Sequence, residues 1–371
     1  MKPASFLFFF PLLAALCLGA TAPANPFGFD VVRVSPRVAV VHGDPWNNAE
    51  LAIATRKGIV VICSSWSESI GRGIRSAIQN EFKRADFAYL IDSHEHSDHI
   101  GGNGAFVDLP IVAHASVRQA MVEMAADPKT RTQWAAFSAE KEIAKMHDYY
   151  TRQSPGYLET PAYAGCVACY RAMEQDFHGA HALVLPTITF DRRLTLDLGD
   201  LTIRLTYFGG LHSLGDTIIS IPEENLVSVG QLFFAGRMPV LSKNATPRLT
   251  PAMVDNWFVV LREILRESDE NTRFMTCSQR DFMKKQDCER FTTYLERLWT
   301  GLKRAHAEGK TQEQARTEGA FKEHFADFAQ WPNESNRGTE WEVLDLHQRN
   351  LDQLWDVLTR ASQTATAAAQ P

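Results

Sequence analysis

Ser93-His94-Glu95-His96-Ser97-Asp98-His99-Ile100-Gly101-Gly102 places three of the chain's twelve histidines within six residues, with an aspartate among them. In extended backbone, residues i and i+2 face the same way. His94 and His96 are therefore expected to present imidazoles to one ion, with Asp98 continuing that face and His99 pointing elsewhere. Gly101 and Gly102 let the backbone turn closely into the next segment. Imidazole nitrogen is a favoured zinc donor, and a catalytic zinc keeps one position open for water. Two histidines do not complete such a site. The third candidate is His212, in Phe208-Gly209-Gly210-Leu211-His212-Ser213-Leu214-Gly215-Asp216-Thr217. That glycine-rich loop lies between two strand-like segments, where functional residues concentrate.

Working outward, the cluster follows a strand-like run from Phe87 to Ile91. Before it, Val38–Val41, Leu51–Ala54 and Gly58–Cys63 are short, β-branched and bounded by turn residues, which predicts strands. Ile70, Ile74, Ile78 and Phe82 recur every four residues and predict an amphipathic helix. A further helix is expected from Ser116. Residues 126–185 mix aromatics with charge and read as a partly helical insertion lying over the core. Phe190 to Leu241 is dense in strand signals. There Leu201, Ile203 and Leu205 alternate with polar residues, and 222–225 is expected to join a hairpin. Thr250-Pro251 is a helix start. Arg273–Thr276 reads as a last strand, followed by mainly helical sequence.

The His-x-His-x-Asp-His segment with Ile-Gly-Gly-Asn after it resembles the signature of the metallo-β-lactamase superfamily. The Gly-Gly-Leu-His-Ser-Leu-Gly-Asp-Thr segment is similar to that family's third-histidine loop. The resemblance covers about residues 29–282. It implies an α/β fold, an αββα sandwich with the metal at one sheet edge, here carrying an insertion and a helical C-terminal extension. It also implies a metal-dependent hydrolase with His94, His96 and His212 as ligands and Asp98 and His99 in catalytic roles. In such relatives a second metal uses a bridging acid or cysteine and a late histidine. Those positions align with Gln231 and with Cys277-Ser278-Gln279, so a bridging carboxylate is missing. One Zn2+ is therefore expected, with a second, weaker ion at Asp98 and His99 left open. Gln231, Ser278 and Cys63 become candidates for contacting substrate or supporting the ligands. Cys63 falls where relatives often place a supporting aspartate.

Hydrophobic residues make up 45% and charged residues 22% of the 371, with net charge −6. These values suit a soluble globular protein and argue against a nucleic-acid surface, which is normally basic; it is the resemblance that implies a small-molecule substrate. Residues 1–24 read as a signal peptide, with Lys2, an apolar run and Ala22-Pro23-Ala24 in order. A secreted or periplasmic chain with no stable membrane span after cleavage is expected. The organisation is then a leader at 1–24, a metallo-β-lactamase-like domain at 25–285 with its insertion at about 126–185, a helical extension at 286–362 and a disordered tail at 363–371. Cys166-Val167-Ala168-Cys169 reads as a local disulfide or structural loop. His347 and Asn350 read as a solvated helix face. The rival to a mono-zinc hydrolase acting on an ester, lactone or lactam is a catalytically inactive accessory or binding protein of a periplasmic pathway. Oligomeric state is not legible.

Overall fold

The computed structural model describes residues 27–45, 48–234, 249–278, 280–317 and 346–368. The expected leader at 1–24 lies outside the described residues. Strands β1 (Asp30–Arg33), β2 (Val38–His42), β3 (Ala49–Thr55), β4 (Gly58–Ile62), β5 (Phe87–Ile91), β6 (Ile111–His114) and β7 (Ile188–Phe190) form one sheet in chain order. β1 to β4 pair antiparallel, and β4 to β7 pair parallel. Strands β3 and β4 are buried at every position. A sheet covered on both faces needs such continuous apolar runs.

The second sheet contains β8 (Arg193–Asp197), β9 (Thr202–Tyr207), β10 (Thr217–Ile221), β11 (Leu226–Ser228) and β12 (Arg273–Met275), ordered β12-β11-β10-β9-β8. The expected hairpin is present: β10 and β11 pair antiparallel across a short turn in which Asn225 adopts a left-handed conformation. β12 joins parallel to β11. Leu51, Ile53, Val60, Ile62, Ile203 and Ile219 meet between the sheets. The strand signals expected as far as Leu241 run in part into residues outside the described ones.

Helices close both outer faces. Helix α1 (Glu68–Phe82) buries Ile70, Ile74 and Ile78, as its spacing predicts. The short α2 (Ser97–Ile100) follows His94 and His96 and carries His99. The insertion between β6 and β7 is helical throughout much of its length: α3 (Ala115–Ala126), α4 (Pro128–Ala136), α5 (Ala139–Gln153) and α6 (Pro161–His178). Helix α6 packs beside α1 on the outer face of the larger sheet through Cys169 and Met173. Cys166 and Cys169 are thus neither a loop nor a disulfide. Thr160 caps the helix and Pro161 opens it, and both thiols are buried and outside any disulfide. Three residues apart on a continuous helix, they belong to its packed face.

The smaller sheet is covered by α7 (Pro251–Glu267), α8 (Lys285–Ala307), α9 (Gln312–Thr317) and α10 (Leu346–Ala368). Trp257, Phe291, Trp299 and Trp355 join one core there. Two expectations change in this layer. Asn350 is fully buried and donates to the Tyr294 hydroxyl at 3.1 Å, so that side of the helix is packed rather than solvated. The tail expected to be disordered from 363 remains helical to Ala368, in keeping with alanine's high helix propensity. No helix among the described residues is long and apolar enough to cross a membrane.

Candidate metal centre

The loops after β4, β5, β11 and β12, and the loop entering β10, gather at one end of the sandwich. Thr217 N donates to Ser93 O at 3.0 Å and ties the β5 loop of one sheet to β10 of the other. Cys63 N donates to Ile91 O at 2.9 Å, and Cys277 N to Gly230 O at 2.9 Å. Close approach sets the glycines. A Cβ on Gly101 would lie 2.0 Å from the Trp66 carbonyl oxygen, and one on Gly102 would lie 1.9 Å from that of Ser64. No side chain fits at either position, which explains the Gly-Gly pair after the histidines.

His94, His96 and His212 converge. Their donor atoms lie within 4.8 Å of one another. Ring centroids are 4.8 Å apart for His94 and His96, 4.8 Å for His96 and His212, and 5.8 Å for His94 and His212. Nε2 of His94 and both ring nitrogens of His212 are buried with no hydrogen-bond partner among the described residues. Burial, followed by the neighbouring rings, pushes the His94 pKa down. Burial and His212 lower His96 to about 4, and burial and His99 lower His212 to about 4. Neutral imidazoles with unsatisfied nitrogens are the form that ligates a cation, so these residues fit a metal.

The next two residues depart from the extended pattern. Helix α2 starts at Ser97, with His96 as its extended N-cap, so Asp98 does not continue the face of His94 and His96. The same turn brings the His99 ring to 4.5 Å from that of His94, where it was expected to point away. Asp98 Oδ2 lies 3.2 Å from His99 Nε2. Burial opposes charge on both, but their mutual attraction prevails: Asp98 falls to about 2 and His99 rises to about 10. The Gln231 amide lies 2.9 Å from His99 Nε2 and also bonds Ser278 Oγ. With the Nε2 proton facing Asp98, a donating amide has nothing to bond on the ring. With the Gln231 oxygen turned inward, it accepts from the Ser278 hydroxyl and shares the Nε2 proton with Asp98.

Sequence reasoning missed the residues that hold the ligands in place. Glu95 points to the far side of the strand-like segment, as alternation requires. Its carboxylate accepts from Leu214 N at 2.6 Å and Gly215 N at 3.0 Å. The acid between two ligands thereby fastens the loop carrying the third. Asp216 shapes that loop, accepting from Leu211 N, Ser213 N and Ser213 Oγ at 2.7–3.0 Å. Ser93 Oγ lies 2.9 Å from His94 Nδ1 and turns Nε2 toward the other imidazoles. Ser93, rather than Cys63, touches the ligand ring. Cys63 Sγ sits behind it, 3.2 Å from Ser93 Oγ and 3.2 Å from Cys277 Sγ. An acid between histidines and a hydroxyl just before them were the only available signals.

A model described as the metallo-beta-lactamase superfamily matches residues 52–273. The chain belongs to the metallo-beta-lactamase superfamily. Among solved structures, its fold is similar to the metallo-beta-lactamase from Pontibacter korlensis, at 13% identity over 72% of this chain and 99% of that one, with a TM-score of 0.50. It is also similar to the stereoselective inverting sec-alkylsulfatase Pisa1 from Pseudomonas sp., at 14% identity over 88% of this chain and 50% of that one, with a TM-score of 0.55. Comparison with curated proteins returns no match. The superfamily fold and the convergent imidazoles agree on where a metal would be held.

Proposed function

We propose that this member of the superfamily is a hydrolase with one catalytic zinc ion held by His94, His96 and His212. The observation that carries the reading is the convergence of three imidazoles, with Nε2 of His94 and both nitrogens of His212 buried and lacking other partners among the described residues. Zinc in such a site supplies water acidified to a pKa of about 7 and polarisation of a substrate oxygen. Asp98 stays ionised through the neutral range and is placed to accept the attacking water's proton. His99, kept cationic by Asp98, holds that carboxylate and is placed to return a proton to the leaving atom. The residues at 1–24 would direct the chain to a secreted or periplasmic compartment, and the substrate is a small ester, lactone, lactam or related molecule.

The test combines metal analysis with turnover. Wild-type protein is expected to bind zinc near one equivalent at these imidazoles and to hydrolyse at least one member of a panel. A lactam and a secondary alkyl sulfate head that panel, followed by a lactone and a carboxylic ester. His96→Ala should lose both properties. Zinc bound without turnover on any class would indicate an accessory or binding protein on this fold. No zinc at the imidazoles would end the proposal.

A further inference from the structure

Behind the His94 ring lies a second cluster of donors: two cysteines with no part in the chemistry above, and the ring nitrogen of His99 that faces away from Asp98. Cys63 ends β4 of the larger sheet, and Cys277 follows β12 of the smaller one. Both are buried, and their sulfurs are 3.2 Å apart although the residues are 214 positions apart in the chain. One ring nitrogen of His99 lies within 4.8 Å of both sulfurs. His99 Nε2 is taken by Asp98 and Gln231, while its Nδ1 is fully buried and has no hydrogen-bond partner among the described residues. Cys63 also holds a left-handed backbone conformation, φ 67°. A non-glycine residue rarely adopts it without surrounding structure that enforces it.

We propose that Cys63, Cys277 and Nδ1 of His99 form a second, buried metal site for a thiophilic divalent ion of the Zn2+ class. Two sulfurs and an imidazole are the donor set that zinc and similar soft ions select over hard, oxygen-seeking ones. The hydroxyl of Ser93, 3.2 and 3.4 Å from the two sulfurs, stands beside them as a hydrogen-bond donor. The same hydroxyl accepts from His94 Nδ1, so one side chain joins the two sites. Without an ion, burial pushes the Cys63 thiol up and keeps it protonated. Thiolate sulfur and a free imidazole nitrogen are the ligating forms, so binding releases whatever protons these donors carry to solvent, while Nε2 of His99 stays with Asp98. Anionic sulfur also solves a problem of charge. Gln231 offers no carboxylate to offset a second dication, and two thiolates supply that charge from the opposite side. The ion would be structural, joining the ends of β4 and β12 across the sandwich.

Cobalt distinguishes this site from the all-imidazole one, because only thiolate ligation gives an intense sulfur-to-metal band in the near ultraviolet. Reduced, metal-free full-length protein is titrated with Co2+. Two equivalents are expected, with the band growing with one of them. Cys63→Ser and Cys277→Ser should each abolish the band and reduce binding to one equivalent while retaining the visible spectrum of the imidazole site. Cys166→Ser should keep the band, since that thiol lies in a separate cluster with Tyr150 and Tyr170. His96→Ala should remove only the band-free equivalent, so failure of the hydrolase reading and failure of this one are separable. The proposal is overturned if wild-type protein shows no band at two equivalents, or if the band survives both cysteine variants. It is also overturned if protein alkylated at harvest maps with Cys63 and Cys277 joined as a disulfide. Should a serine variant not fold, Cys63→Ala and Cys277→Ala give the same reading.

Discussion

Two adjoining parts of this site use similar atoms and end in opposite states. On the side of His94, His96 and His212, burial lowers the pKa of every ring, and Nε2 of His94 and both nitrogens of His212 are buried and unpaired among the described residues. On the side of Asp98, His99, Gln231 and Ser278, polar groups bond one another in a continuous chain. A buried polar atom without a partner costs about 1–3 kcal/mol. The first part therefore carries an unmet demand that a cation satisfies. In the second, the Gln231 amide and the Ser278 hydroxyl meet that demand around Asp98 and Nε2 of His99, and only Nδ1 of His99, on the far side of the ring, stays unpaired. Similar atoms thus end in opposite states according to whether a neighbouring polar group meets their demand.

The strongest challenge to this contrast is His96→Ala. If the unpaired nitrogens serve a cation, zinc content and hydrolysis should both fall by more than about 10²-fold, beyond the 10–100-fold typical of an outer partner. Metal analysis and turnover under identical conditions decide it. Glu95→Gln should come next. It replaces one of the two oxygens that accept from Leu214 N and Gly215 N with an NH2 group, without removing a ligand, so zinc affinity measured by chelator competition should fall about 10–100-fold. An unchanged affinity would mean that the loop holds its shape through Asp216 alone.

The reverse operation tests the sealed side. Gln231→Asp restores a carboxylate facing Asp98 and His99. It should tighten binding of an added ion there by at least about tenfold, or ~1.4 kcal/mol. Calorimetric titration should show this ion, and cobalt there should give no sulfur band.

The smallest effect concerns an unpaired atom that serves no ion. Glu50 Oε1 is buried without a partner, and burial followed by Asp44 raises the Glu50 pKa well above the ordinary carboxyl range. The folded chain thus holds a proton that the unfolded chain gives up above about pH 4.3. Stability falls as pH rises from there toward the folded-state pKa. Glu50→Gln should therefore stabilise at neutral pH by about 1–3 kcal/mol, with the gain vanishing below about pH 4. Thermal melts at pH 4 and pH 7 check the sign.

Much of this was readable from local pattern. His94 and His96 share a face because two residues apart in extended backbone do so, and His212 stood out by its glycine-rich surroundings. The spacing of Ile70, Ile74 and Ile78 foretold α1. The failures have a common cause. Asp98 and His99 were read on a strand, but the chain turns helical at Ser97, and one turn redirects both side chains. Cys63 and Cys277 come from different sheets, so no window along the chain could show their sulfurs meeting. Asn350 looked solvated because its partner, Tyr294, lies on another helix. Cys166 and Cys169 suggested a loop because two cysteines at that spacing outweighed the Thr160-Pro161 helix start beside them.

The outer layer of the smaller sheet has a consequence for how the molecule can be made. Trp355 of α10 shares a core with Trp257 of α7 and with Phe291 and Trp299 of α8. A polypeptide halted before Leu346 would present that aromatic wall to water. The half of the sandwich that carries His212 thus stays sticky and prone to self-association until α10 has docked. Ribosome-stalled nascent chains ending on either side of α10 should differ sharply in protease resistance.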